Sequence, residues 1–401
     1  MDIASSYSTI GDPHQAVDAA YGRLVDQLGA RLDFIVFAAT VGYDITEIAA
    51  RLKELAPGVP LHGSTSSQGV MTQEGYHSHE GYALGLWGLR DDGGAFGVGG
   101  AYLGDDPRRA GADAVLRALS LSGRPGELPQ IIWLSSAPGN EEEVIAGIQD
   151  VIGPHVPILG GSSADDNVQG DWHQIANEDV FTDAAVVSVL YPSTQTMFGF
   201  HSGYEPTSTT GVATRVEGRT VMTIDGRPAV EVYDEWIGGR LPSKIREQGG
   251  SILADAPLWA PLGRPIRKGD SQVLLSYLLA HPDAVTVDGG IHFMAKIEEG
   301  ECLVLMRGSK ENLIDRPGRV VHSVMEIQGV RPEEIAGGLI IVCAGCMWAV
   351  DERSFEVVSP LNEALKMKSF LGTFTFGEQG CFFGGENRHG NLMISAVLFR
   401  Q

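Results

Sequence analysis

Three stretches of the 401-residue chain carry glycine and small hydroxyl residues at the end of an apolar run. They are Val59-Pro60-Leu61-His62-Gly63-Ser64-Thr65-Ser66, Val156-Pro157-Ile158-Leu159-Gly160-Gly161-Ser162-Ser163 and Gly372-Thr373-Phe374-Thr375-Phe376-Gly377-Glu378-Gln379-Gly380. Glycine lets a backbone turn tightly or approach a ligand closely, and serine and threonine are compact donors and acceptors. Such turns can offer backbone N–H groups and hydroxyls to an anion, or simply shape a corner. No Gly-Lys-Ser/Thr follows them, so they are not P-loops, and no dinucleotide fingerprint is present. Ser64, Thr65, Gly161, Ser162 and Ser163 are the candidate ligand contacts.

The third turn adds a charge. Glu378 could hold the ammonium of an amino-acid ligand through a charge-assisted hydrogen bond, or accept from N–H groups of its own turn. His389 and Asn391 lie across the expected hairpin and could complete that site or pin the hairpin. Cys343-x-x-Cys346 could be redox-active at a helix N-terminus, or join Cys381 and a histidine on a metal. The following Met347-Trp348-Ala349-Val350 reads as strand, which favours thiols packed as small hydrophobes. His77 and His79 share a turn. Asp165, Asp166 and Asp171 offer carboxylates for a hydrolase or transferase, but no Gly-x-Ser-x-Gly elbow or zinc-hydrolase motif accompanies them.

The elements that position these residues repeat. Helices are expected from Pro13 to Leu28 with Asp12 as cap, after Asp44 with Glu47 three residues on, and after Asn140 with Glu143 three on. Strands are expected at Asp33 to Ala39, Gly69 to Tyr76, Tyr82 to Leu89, Gln130 to Ser135 and Ala184 to Leu190. The second strand-helix-strand-turn-strand unit follows the first by about 97 residues, an internal duplication. Asp270 caps a segment from Val273 to Leu279, and a helix runs from about Pro317 to Ile327. A third unit closes the chain, from Leu339 to Phe399. The expected fold class is α/β: mixed, layered sheets and helices built from these repeated units, in two domains.

Hydrophobic residues at 43% and charged residues at 20% indicate a packed globular chain. The net charge of -22 argues against nucleic acid and anionic membrane surfaces. No apolar run reaches the ~20 residues needed to span a bilayer, and the N-terminus lacks a signal-peptide pattern, so a cytoplasmic location is expected.

Gly160-Gly161-Ser162-Ser163, Gly203-Tyr204-x-Pro206 and Asp225-Gly226-x-Pro228-Ala229 resemble the N-terminal FIST domain and its junction. Cys343-Ala344-Gly345-Cys346, Gly377-Glu378 and Asn391 resemble the C-terminal FIST domain. The resemblance implies a FIST N-like domain over 1–217 and a FIST C-like domain over 218–401. It implies a sensory module that binds a small ligand, with amino acids suggested, and signals to a partner such as a histidine kinase. Some members resemble haem-carrying nitric-oxide sensors. For that alternative His201 is the candidate ligand by position, although Ser202 stands where members often carry histidine. The resemblance makes an enzyme the less expected reading.

Overall fold

The computed structural model describes residues 1–29, 31–253, 256–267, 274–382 and 385–401. The first unit comprises β1 (Asp2–Ser8), α1 (Pro13–Leu28), β2 (Phe34–Ala39), α2 (Ile45–Leu55), β3 (Leu61–Thr65), β4 (Val70–Thr72), β5 (Gly75–His77) and β6 (Leu84–Arg90). The second repeats it: β7 (Ala95–Tyr102), α3 (Pro107–Leu121), β8 (Ile131–Ser136), α4 (Glu141–Ile152), β9 (Ile158–Ser162), β10 (Gln174–Ala176), β11 (Asp179–Phe181) and β12 (Ala184–Tyr191). The third opens with β13 (Thr196–Ser202) and is then interrupted. The insertion comprises β14 (Glu205–Glu217), β15 (Thr220–Ile224), β16 (Arg227–Pro228), α5 (Ala229–Trp236), α6 (Ser243–Gln248), β17 (Gly250–Ser251), α7 (Ala256–Trp259), β18 (Leu262–Arg267), β19 (Leu274–Ala280), β20 (Pro282–Val285), β21 (Ile291–Phe293) and β22 (Cys302–Arg307). The third unit resumes with α8 (Lys310–Gln328), β23 (Ile335–Cys343), α9 (Ala344–Val350), α10 (Val358–Leu365), β24 (Ser369–Thr375), β25 (Glu378–Phe382), β26 (Glu386–Gly390) and β27 (Met393–Arg400).

The units exchange hairpins around a ring. The sheets run β1-β6-β2-β3-β10-β11, β7-β12-β8-β9-β25-β26 and β13-β27-β23-β24-β4-β5. Each unit thus keeps four strands and lends its hairpin to the sheet of a neighbour, and the first unit closes the circle on the third. The central strands β2, β8 and β23 are apolar runs buried on both faces, and each pairs parallel with the strand that carries a Gly-Ser/Thr turn. The insertion forms a fourth sheet, β17-β20-β21-β15-β14-β22-β18-β19, with β16 on β15. The expected boundary at 217/218 falls in the turn between β14 and β15; β13, before it, pairs with β27. No helix among the described residues is long and apolar enough to cross a membrane.

Local chemistry explains most elements. Asp12 accepts from Gln15 N at 2.8 Å, and Asp44 from Thr46 N at 2.9 Å, so both cap their helices. Asn140 precedes α4 without a side-chain capping bond. Ala16, Ala20, Leu24 and Leu28 form the buried face of α1. Each fully buried leucine contributes about 1.5–3 kcal/mol, and Leu24→Ala would cost about 2–5 kcal/mol.

Several expectations are corrected. The segment Gly69 to Tyr76 is the hairpin β4-β5, which turns at Gln73-Glu74. Met347 to Val350 is helical, in α9, because the chain leaves β23 at Cys343 and turns at once. Helix α8 begins at Lys310, where Ser309 caps Asn312 N at 3.2 Å, and Pro317 lies inside it. The segment said to be capped by Asp270 is the strand Leu274–Ala280; Asp270 and Val273 lie outside the described residues. Strand β7 has too much glycine to read as a strand, yet glycine is required there. A Cβ at Gly97 would stand 2.1 Å from Ala118 O, and one at Gly99 2.5 Å from Ala114 O, since α3 packs directly on the strand.

Candidate functional site

The three turns meet, and what they meet is one another. Ala164 N donates to Thr65 O at 3.1 Å, Phe376 N to Ser162 O at 3.1 Å and Ser67 N to Phe374 O at 3.0 Å, a cycle of backbone bonds through all three units. The hydroxyls are engaged in the same junction. Ser64 Oγ lies 2.8 Å from Ser163 Oγ, and Thr65 Oγ1 accepts from His173 N at 2.9 Å. Ser162 Oγ donates to Glu141 at 2.8 Å and accepts from Gln379 Nε2 at 3.1 Å. Gly161 lies opposite Glu378 in the β9-β25 pairing, where a Cβ would come within 2.5 Å of Thr375 Cγ2.

Glu378 is fully buried. One oxygen accepts from Thr375 Oγ1 at 2.9 Å and the other from Met393 N at 2.9 Å. Burial, and then the neighbouring Cys343, push its carboxyl well above the usual carboxylate range. A carboxyl pushed toward its neutral form is a poor counter-ion for an ammonium. His389 is also buried, with Nδ1 3.4 Å from Gln379 Nε2 and Nε2 3.8 Å from Glu141.

Asn391 is different. It lines a small apolar cavity of about 30 Å³ between the inserted sheet and the third unit. The inserted segment contributes Leu253, Leu258, His281 and Met294; the third unit contributes Cys343, Trp348 and Phe376 beside Asn391. Asn391 is 1% exposed and His281 3%. Asn391 Oδ1 accepts from His281 N at 3.3 Å, but Asn391 Nδ2 has no partner. His281 Nε2 lies 3.3 Å from Leu253 O and donates to it, which leaves Nδ1 as an unpartnered acceptor. Trp348 Nε1 is a third buried polar atom without a partner. Burial brings the His281 ring down to about 4, so it is neutral at pH 7.

Two residues on this cavity hold left-handed backbone without being glycine: Val168 at φ 58° and Leu392 at φ 55°. Such conformations cost about 1–3 kcal/mol each and cluster at ligand sites. Asp165 holds Val168 in place. Its carboxylate accepts from the N–H groups of Asn167, Val168, Gln169, Gly170 and Asp171 at 2.5–3.0 Å. Burial opposes its charge, but these donors outweigh burial and hold it below the usual range. Asp166 accepts from Gln68 N at 2.5 Å. These carboxylates organise a loop.

A buried ion cluster ties the cavity wall to the ring of turns. Arg219 donates to Met294 O at 2.6 Å and to Glu141 at 2.8 Å, and it also pairs with Glu142. Glu142 accepts from Lys296 N at 2.7 Å. Glu141 is the acceptor of Ser162, in the second turn.

The other candidates lie elsewhere. His201 Nδ1 accepts from Ser202 N at 2.9 Å and from Arg316 Nη2 at 2.5 Å, so the proton of the neutral ring is on Nε2. In this arrangement the Nδ1 lone pair is taken by those two donors. His77 lies 2.8 Å from Thr72 Oγ1 and stacks on Tyr7 at 3.4 Å, apart from His79. Cys343 and Cys346 straddle the start of α9 as buried thiols, and burial pushes Cys343 well above the usual range. Among the described residues no three His, Cys, Asp or Glu side chains gather as a metal site. His281 and Trp348 were not candidates from sequence. The first belongs to a segment with no motif, and the second was assigned to a strand.

The FIST N domain model matches residues 33–227 and the FIST C domain model residues 229–381. The chain belongs to the FIST family. FIST domains are small-molecule sensory modules and are typically non-catalytic. An uncharacterized protein of Methanocaldococcus jannaschii is 30% identical over 182 residues, 44% of this chain and 33% of that protein. The FIST chain therefore matches about a third of that relative's length. Two solved structures align along its whole length. One is a cyanuric acid hydrolase described as an evolutionary innovation by structural concatenation, at 9% identity, 99% coverage of that chain and a TM-score of 0.38. The other, the cyanuric acid hydrolase from A. caulinodans, aligns at 8% identity, 99% coverage and a TM-score of 0.39. At those scores the likeness carries no argument about this chain.

Proposed function

We propose that this FIST protein senses a small neutral ligand that carries both a carbonyl-type acceptor and an N–H or O–H donor. The ligand sits between the inserted sheet and the third unit. The observation that supports this is three buried polar atoms without partners, all on residues that line one apolar cavity: donors on Asn391 Nδ2 and Trp348 Nε1, an acceptor on His281 Nδ1. Each buried polar group left unpaired costs about 1–3 kcal/mol, and a ligand of complementary pattern removes that cost. No Asp, Glu, Lys or Arg is among the lining residues. A zwitterionic amino acid would lose its hydration there without gaining counter-ions, so a neutral amide is the better fit.

A volume of about 30 Å³ has room for no more than a few waters. A larger ligand must move a wall. Met294 belongs to that wall and reaches the ring of turns through Arg219 and Glu141. Ligand uptake would thus bias how the inserted sheet seats on the ring, and a signalling partner such as a histidine kinase would read the change. The test is a thermal melt with acetamide and with glycine, on wild type and on Asn391→Leu. Stabilisation by acetamide that disappears in Asn391→Leu is expected. A response to glycine alone, to neither probe, or to acetamide equally in both proteins would refute the reading.

A further inference from the structure

A second opening lies between α8 and β13. It is a groove of about 320 Å³, at the lower end of the range for small-molecule sites. Its apolar wall includes Phe198, Phe200, Val324 and Phe382, with the Phe200 and Phe382 rings 5.1 Å apart. Ile327, 56% exposed, extends the apolar surface at its rim.

One cation lines this groove without a counter-ion. Arg316 makes no ion pair among the described residues. Its side-chain partner is His201 Nδ1, at 2.5 Å, and its Nε has none. His201 cannot serve as an anion: burial and then Arg316 bring its ring down to about 4, so it is neutral. Burial, then the nearby Arg319, brings Arg316 itself down to about 10, as expected of a half-buried guanidinium with no anion beside it. Ser276, also on the groove, is 7% exposed and its Oγ is unpartnered. His201 adds a further donor, the Nε2–H of its neutral tautomer.

We propose that this groove binds an organic monocarboxylate with an apolar tail, its carboxylate held by Arg316 and Ser276 and its tail on Phe200, Val324 and Ile327. Guanidinium and carboxylate match as paired donors and acceptors, and the pair is stronger where water is partly excluded. The groove is separate from the cavity of Asn391 and His281; the two share no lining residue. Both could be filled at once.

The experiment is isothermal titration of wild type with octanoate and with octan-1-ol, which share a tail and differ in charge. Octanoate is expected to bind at least about tenfold tighter, the factor that one charge-assisted contact supplies. Arg316→Met should bring the two affinities together, and Arg316→Lys should restore part of the difference. Asn391→Leu should leave octanoate binding unchanged. Equal affinities in wild type, or no binding of octanoate, would overturn the proposal without any variant. So would loss of octanoate binding in Asn391→Leu, which would move the carboxylate to the cavity.

Discussion

The cavity and the groove are both built on the third unit, and each is lined by a neutral histidine, His281 buried and His201 partly buried. They differ in what is left over. In the cavity, His281, Asn391 and Trp348 leave one acceptor and two donors unpaired and no charge. In the groove, Arg316 leaves a whole cation unpaired. One region selects by the pattern of hydrogen bonds and the other by charge. The difference arises from the neighbours each has. The cavity is closed by the inserted segment, where Arg219, beside the cavity residue Met294, is paired with Glu141 and Glu142. The groove is closed by α8, whose Arg316 has no carboxylate within ion-pair reach among the described residues.

The largest expected effect breaks the cavity side alone. Arg219→Ala takes the guanidinium away from Glu141, whose side chain is 2% exposed, and leaves that buried carboxylate only the Ser162 hydroxyl and His389 at 3.8 Å. The loss should be about 3–5 kcal/mol in urea unfolding, with the acetamide response gone. A loss below about 1 kcal/mol would mean the cluster is solvated and ties nothing together.

Acid affects both regions. His281 and His201 are brought from 6.5 to about 4, chiefly by burial. The unfolded chain therefore binds more protons between those limits. Stability is full above pH 6.5 and falls as pH drops toward 4, with a slope of about 1.4 kcal/mol per pH unit for each ring. Urea midpoints that stay flat from pH 7 to 4.5 would contradict this.

A smaller effect sharpens the cavity wall. Asp165→Ala frees the N–H groups that hold Val168 in its left-handed conformation. Hydrogen exchange over residues 166–171 should accelerate, and stability should fall by about 1–3 kcal/mol. Unchanged exchange there would show that the loop does not depend on Asp165. The smallest change is Asn391→Leu, which removes an unpaired donor along with one accepted bond and should alter stability by less than about 1 kcal/mol. An Asn391→Leu loss of several kcal/mol in the same urea assay would mean that the donor has a structural partner.

Sequence and structure agree most where the chemistry is local. The caps Asp12 and Asp44, the apolar stripe of α1 and the three turns were all legible, because each depends on residues within a few positions. The exchange of hairpins was not, since a strand does not reveal which neighbour it joins. The turns are where the sequence points for a ligand, yet their hydroxyls are taken up within the protein: Ser64 by Ser163, Thr65 by His173 N and Ser162 by Glu141 and Gln379. Asn391 is legible as a candidate in the sequence. Its partner His281 lies 110 residues earlier, at the joint between β19 and β20 of the insertion. Arg316 fell one residue before the expected start of its helix at Pro317, so its facing could not be read.

The central claim is that a neutral ligand meets the unpaired donors of the cavity. The most direct measurement is the indole N–H spectrum of the 15N-labelled protein during titration with acetamide. The chain has six tryptophans, so Trp348→Phe identifies one signal by its loss. The account predicts that the Trp348 signal shifts with saturation while the other indoles stay in place, and that the shift is absent in Asn391→Leu. A Trp348 signal that stays fixed at saturating acetamide, or one that moves no more than the rest, would contradict it.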